Sequence, residues 1–507
     1  MRWYWVIMLT KDRKGVISLI ILFVLAILMG VGIFFFLNLE GRYAFVGLLI
    51  LFVPFIVLLS GQWKSFFLFL FILGIPIQLK KTLYGYSLTH ICGPGGFDFL
   101  LADGAFLALY MHWLYKIAIQ KQERVFHISK MDILFLLFMM INVFSIWESV
   151  DLTLSLIDLI RILKVGFIYF YLANNIQTER EFRLVLYALF LGFFIQSSVS
   201  IAQYGLGRPL GLYLLGEQQK FGMIEFDGIS LLQGPSGIMQ GANTSALYFV
   251  SLLPYIFAAQ FWMKRREAKV LTFCLFTIGI FTLILTNSRG GWVGFLFSFL
   301  VLLYLSIKRG FITYRKHFPI VVMIGLVLVA VLLYLSPKIY DRLFRTPSVP
   351  IYTRTFLNRL AIEMMNTHPI LGVGVNNFAE SAQSVIRDIP DPQNIYKYVV
   401  ENPVVHNVYL LIGAETGLLG LIVFLLILLL LLKKSWSLVH SDKLFVSCFG
   451  IASLCFLLGL VITEMFDFSY RLDQLFYLFW TLTGLLVALS RSEELAEEPA
   501  PLRMINE

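Results

Sequence analysis

His406 comes after a polar stretch of about seventy residues and stands just before a long apolar run. The local order is Val404-Val405-His406-Asn407-Val408-Tyr409-Leu410, continuing to Glu415-Thr416-Gly417-Leu418-Leu419-Gly420. An imidazole at such a border is suited to proton transfer near neutral pH. It can meet a polar reactant from one side and a lipid-borne one from the other. The bland alternative is an interfacial histidine with a structural role. Arg289 stands in Thr286-Asn287-Ser288-Arg289-Gly290-Gly291-Trp292, where small residues let a backbone or a ligand come close. Arg354 and Arg359 lie on an amphipathic stretch at 353–366, in which Phe356, Leu360, Glu363 and Met364 recur near helical spacing. Arg161 and Lys164 fall inside an apolar run at 153–174, where charge is costly and faces a polar cavity or a partner. Guanidinium groups bind phosphate oxygens in pairs. Together these residues suggest a basic pocket for a lipid-linked phosphate or pyrophosphate. Each has a plainer reading: a loop arginine for Arg289, a solvated helix face for Arg354 and Arg359, an ion pair with Asp158 or Asp151 for Arg161.

The elements that must position these groups are membrane spans. The chain has 507 residues, is 59% hydrophobic and 14% charged, and its mean hydropathy is +0.82. That profile belongs to a polytopic membrane protein and not to a soluble globular one. The net charge of +9 is explained by basic loops at a membrane and by anionic ligands, with no nucleic acid implied. The fold class is all-α, with about 12–14 transmembrane helices and a large helical outer loop. The approximate spans are 16–37, 43–60, 64–80, 98–117, 131–148, 153–174, 182–204, 243–262, 270–287, 291–307, 319–336, 405–432, 444–463 and 470–489. The first apolar run is too long for a removed signal peptide and reads as a retained span.

Basic clusters orient the spans. Arg2, Lys11, Arg13 and Lys14, then Lys116 to Lys130, Lys264 to Lys269, Lys308 to Lys316, and Lys433 to Lys443 all land on one side. That side is cytoplasmic, with both termini there. The chain then divides into spans over 1–336, with an outer loop at 205–242. A large outer loop occupies 337–404, the last spans 405–490, and a cytoplasmic tail 491–507. The tail is acidic and reads as disordered. His90, His368 and His406 face outward. No cysteine spacing suggests a disulfide framework or a metal site, and no P-loop, GxSxG or HExxH is present. Glu415 reads as a polar packing residue, and Gly372-Val373-Gly374 as a turn.

Three motifs in order carry a family likeness: Ser288-Arg289-Gly290; Gly372-Val373-Gly374 with Asn376-Asn377-Phe378; and His406-Asn407-Val408-Tyr409-Leu410 with Glu415-x-Gly417-x-x-Gly420. Their combination over about 280–425 resembles the O-antigen ligase and Wzy polymerase superfamily. The resemblance implies a GT-C type membrane glycosyltransferase in a bacterial inner membrane, with its site facing the periplasm. The implied donor is an undecaprenyl-pyrophosphate-linked glycan, and the acceptor is lipid A–core or a second lipid-linked glycan. Neither metal nor cofactor is implied. His406 matches the family's loop histidine and would act as general base. Arg289 matches the arginine after the serine and would stabilise the pyrophosphate, with Arg354 or Arg359 as a further donor contact. Direct displacement would invert the anomeric centre.

The leading expectation is ligation of the glycan to a lipid A–core hydroxyl. A Wzy-type polymerase and a protein O-oligosaccharyltransferase use the same chemistry with another acceptor. A transporter of lipid-linked sugars would suit the intramembrane Arg161 and Lys164, but no two-fold repeat of interrupted spans is present.

Overall fold

The computed structural model describes residues 62–85, 93–118, 128–218, 222–226, 229–239, 241–312, 349–386, 403–468 and 471–497. The chain separates into two compact units, Met1–Leu68 and Phe69–Glu507. The described residues belong to the second, except for 62–68 in the first. The expected spans at 16–37, 43–60 and 319–336, the termini and His90 lie outside the described residues.

The helices are α1 (Trp63–Gly74), α2 (Leu101–Ala118), α3 (Lys130–Ser145), α4 (Leu152–Asn175), α5 (Glu179–Leu206), α6 (Ala242–Trp262), α7 (Arg266–Leu285), α8 (Arg289–Lys308), α9 (Val349–Thr367), α10 (Phe378–Val385), α11 (Val408–Val439), α12 (Leu444–Thr463) and α13 (Asp473–Glu497). Among the described residues, eight helices are long and apolar enough to cross a membrane. They are α3, α5, α6, α7, α8, α11, α12 and α13. The fold is that of a polytopic all-α membrane protein. The expected span at 153–174 is α4, continuous through its charged residues. The expected span at 64–80 ends early, at Gly74, and the one at 98–117 begins in a strand.

Among the described residues, two antiparallel hairpins interrupt the all-helical pattern. Lys80–Gly85 (β1) pairs with Gly96–Leu100 (β2), and Gly222–Phe226 (β3) with Ile229–Gln233 (β4). In the first, Asp98 accepts from Thr82 Oγ1 at 2.6 Å and pairs with Lys80 across the strands. The apolar residues of β2 run straight into α2, so hydropathy alone merges strand and helix into one span.

Local sequence sets the helix starts. Ser129 with Asp132, and Thr178 with Glu181, form reciprocal capping boxes. Asp151, Ser288 and Asn407 cap α4, α8 and α11 with side-chain oxygens. Glycines set the closest approaches. A Cβ on Gly291 would lie 2.8 Å from Ala246 Cβ, and one on Gly294 would lie 2.9 Å from the Gly459 carbonyl oxygen. Hence α8 packs tightly on α6 and α12.

Outside the spans, α9 and α10 build a small core of their own. Phe356, Leu357, Leu360 and Met364 pack with Phe378, Val405 and Leu411. This cluster seats the expected outer loop on the start of α11.

Candidate active site

Arg289 is the first residue of α8, directly after its cap Ser288, whose hydroxyl accepts from Gly291 N at 3.4 Å. Asn287 precedes it with φ 57°, a left-handed turn that asparagine tolerates. The tight turn aims the helix start at a cleft lined by Asn243, Arg289, Arg354, Thr463, Phe466 and Asp467. Arg354 reaches the cleft from α9. Arg359, five residues on, is exposed and does not line it. Five residues turn a helix by about 140°, so the two arginines cannot share a face.

The cleft's charges act on one another. Burial lowers the Arg354 pKa from its usual value, Asp467 raises it, and Arg289 lowers it further. Among the described residues, neither Arg289 nor Arg354 has a carboxylate within ion-pair distance. Asp467 is 4% exposed, and burial pushes its carboxyl up to about 6 against the hydrogen bond from Phe468 N and the attraction of Arg354. The cleft is small, about 30 Å³, with room only for water-sized molecules.

His406 sits two residues before α11, with its ring edge-on to Phe468 at 4.9 Å. Burial first, and Arg354 second, push its pKa down to about 3. The imidazole is therefore uncharged at neutral pH. Its Nδ1 is buried and has no hydrogen-bond partner among the described residues. The start of α11 is fixed to the end of α12, where Val408 N donates to the Glu464 carbonyl at 3.0 Å and Tyr409 OH to the Val461 carbonyl at 2.9 Å. An apolar pocket with Phe424, Phe456, Phe476 and Trp480 in its wall reaches Val408 and Glu464 at the same junction.

α11 is broken at Gly417, which has φ 67° and ψ −173°. The segment after α9 fills the break. Val373 N donates to the Ala414 carbonyl at 2.9 Å, Gly374 N to Glu415 at 3.0 Å, and Leu418 N to Pro369 at 2.8 Å. Backbone groups freed in a membrane helix need such partners. A Cβ on Gly417 would lie 2.1 Å from the Ile370 carbonyl oxygen, and one on Gly372 would lie 2.4 Å from the Glu415 carbonyl carbon. Both glycines are therefore needed for two backbones to touch. The adjoining asparagines fasten the same segment to the α3–α4 corner. Asn377 Nδ2 donates to Ser155 Oγ at 2.8 Å and its Oδ1 accepts from Asp151 N at 2.6 Å; Asn376 Nδ2 donates to the Leu154 carbonyl at 3.1 Å. The glycine and asparagine motifs thus lock the outer segment into the spans.

Arg161 and Lys164 do not line the cleft. Arg161 Nε donates to Asp158 Oδ1 at 2.7 Å, and Arg471 Nη1 donates to Asp158 Oδ2 at 2.8 Å. Arg471 also pairs with Glu415, at the broken turn of α11. Lys164 Nζ lies 2.6 Å from Asp103 Oδ2 and donates to the Asp98 carbonyl at 3.0 Å, while Tyr477 OH donates to Asp103 Oδ1 at 2.7 Å. Of the two readings open for Arg161, the structure has the ion pair with Asp158. Asp467 and Arg471 belong to no motif in the sequence. Their one signal there is that both sit in the short turn between two spans.

Residues 272–425 match the O-antigen ligase family model, which supports the resemblance to the O-antigen ligase and Wzy polymerase superfamily. A search of the curated proteins finds no match. The matched segment contains Arg289, Arg354, Arg359, His406 and the broken turn of α11, whereas Asp467 and Arg471 lie beyond it.

Proposed function

We propose, with the O-antigen ligase match as premise, that this protein transfers a glycan from undecaprenyl pyrophosphate to a sugar hydroxyl of lipid A–core. The reaction is a single inverting displacement of GT-C type at the periplasmic face of the inner membrane. The observation that carries this reading is the cleft: two guanidinium groups with no carboxylate at ion-pair distance among the described residues converge near an uncharged histidine.

The acceptor hydroxyl oxygen attacks the anomeric carbon, and the bond from that carbon to the phosphate oxygen breaks. His406 takes the hydroxyl proton. Undecaprenyl pyrophosphate leaves with the bonding electrons, and Arg289 and Arg354 stabilise its charge. Pyrophosphate is a good leaving group, so orientation and charge stabilisation dominate over acid catalysis. A histidine held near pKa 3 is a weak base in the empty protein. The donor's anionic charge offsets Arg354, the second cause of that depression, and raises His406 towards proton acceptance when the donor is present. Asp467 attracts Arg354 and keeps its positive charge in the cleft. The cleft must widen to admit a pyrophosphate.

The test is glycan transfer by the full-length protein in nanodiscs, with EDTA present. The donor is an undecaprenyl-pyrophosphate glycan; one tube holds lipid A–core and another a second lipid-linked glycan. A product with lipid A–core that disappears in His406→Ala is the expected result. A ladder of longer lipid-linked glycans would make the protein a polymerase instead. No product in either tube, with substrates that a known ligase consumes, would remove the transferase reading.

A further inference from the structure

The helices that hold the cleft also hold a second basic site at their other ends. Asn243, near the start of α6, lines the cleft, and Trp262, at its end, lines a separate cavity of about 410 Å³. Thr463 and Lys443 mark the two ends of α12 in the same way. Helices of about twenty residues span roughly 30 Å, the thickness of a hydrocarbon core. The two sites therefore sit at opposite membrane faces.

The cavity is lined by Arg183 from α5, Lys264 from the α6–α7 turn, and Lys443 with Leu444, Phe445 and Val446 from the start of α12. Arg183 is held over the rings of Trp262, at 4.6 Å, and Phe445, at 5.5 Å. Among the described residues, Glu179 is the one carboxylate in the wall, and it is bound to Arg183. Nearby Glu181 is occupied by the capping box at Thr178. Three cations and one carboxylate thus line the wall among the described residues. No side chain caps α12, so its first amides add partial positive charge to the same wall.

We propose that this cavity binds the phosphate headgroup of an anionic membrane phospholipid. Its place at the ends of membrane-spanning helices favours a lipid headgroup over a free phosphate. Arg183, Tyr187, Leu191 and Phe194 recur at helical spacing along one face of α5. The last three are 43%, 40% and 48% exposed, which leaves an apolar track for an acyl chain leading away from the arginine. Basic pockets at the positively charged membrane face suit such headgroups. Lipid binding here requires only that the chain spans a membrane, and it is independent of glycan transfer.

The experiment measures lipid binding to the purified full-length protein in neutral detergent, by native mass spectrometry and by thermal unfolding. The probes are phosphatidylglycerol, phosphatidylcholine and inorganic phosphate. Phosphatidylglycerol should bind at least about tenfold more tightly than phosphatidylcholine and raise the unfolding temperature, and inorganic phosphate at millimolar concentration should do neither. The pair Lys264→Gln and Lys443→Gln should erase the preference; Lys264→Arg with Lys443→Arg should keep it. Equal binding of the two lipids by the wild type, or a preference that survives in the folded glutamine pair, would overturn the proposal. Competition by inorganic phosphate as strong as by the lipid would also overturn it, assigning a soluble anion site instead.

Discussion

Two groups of buried or half-buried charge stand out among the described residues, and they differ in how fully they are paired. Around α4 and the break in α11, Asp158, Arg161, Arg471 and Glu415 form a chain of ion pairs, and Lys164, Asp103 and Tyr477 form a second. In the cleft, Arg289 and Arg354 meet no carboxylate at ion-pair distance among the described residues, Asp467 is pushed up to about 6, and His406 down to about 3. Burying charge costs free energy in both places. In the first, the cost is offset inside the protein and the result is architecture. In the second it is not, and the unmet charge is available to an anionic ligand.

The contrast is sharpest for His406→Ala and Arg289→Ala. Each should lower kcat/KM by about 10²–10⁴-fold through a lost base or lost charge stabilisation, with the unfolding temperature nearly unchanged. Initial rates beside thermal unfolding in detergent check this, and a parallel collapse of stability would erase the distinction. The mirror experiment is Arg471→Met, which leaves Asp158 and Glu415 short of a partner. It should destabilise by about 3–5 kcal/mol, and Glu415→Leu added to it should recover part of the loss. Recovery of activity without stability would move this network into the site.

Asp467 gives the intermediate effect, through pH. Its carboxyl must be ionised to attract Arg354, so kcat/KM should fall as pH drops through about 6, with roughly tenfold loss per unit below it. His406 contributes no acid limb in that range, because its own value lies near 3. Asp467→Asn should be less active but without the limb. The stability sign is opposite. A carboxyl raised above its unfolded value favours the folded state at low pH, and this contribution is lost as pH rises from 3.8 to about 6. Asp467→Asn should then be more stable than the wild type at pH 7 by on the order of 3 kcal/mol, read by thermal unfolding. The smallest effect belongs to Arg359→Ala. It lies exposed on the far side of α9, so activity should change by less than about twofold and stability by less than about 0.5 kcal/mol, against a large loss for Arg354→Ala.

Much of this was legible along the chain. Arg289 and His406 stand in short motifs next to span ends, and their type and position already suggest phosphate and proton chemistry. The choice between Arg354 and Arg359 was not legible, because it depends on which face of α9 packs against Phe378 and Val405. The hairpins were hidden because strands of five or six residues carry too few apolar positions to stand apart from neighbouring spans. The break in α11 was hidden within 32 residues of nearly continuous hydropathy. A run longer than a bilayer needs, with Gly417 inside it, was the available hint.

The sequence by itself determined that this is a polytopic all-α membrane protein, and it offered the residue types from which a site could be expected. These come from composition and from order along the chain. Only the tertiary structure decided which charges are neutralised and which remain available. Asp158 and Arg471 are 313 residues apart in sequence and 2.8 Å apart in space, and Val373 satisfies a carbonyl on a helix that begins 35 residues later, at Val408. Pairing acts through space over a few ångströms, and no local pattern records which distant residue will arrive there.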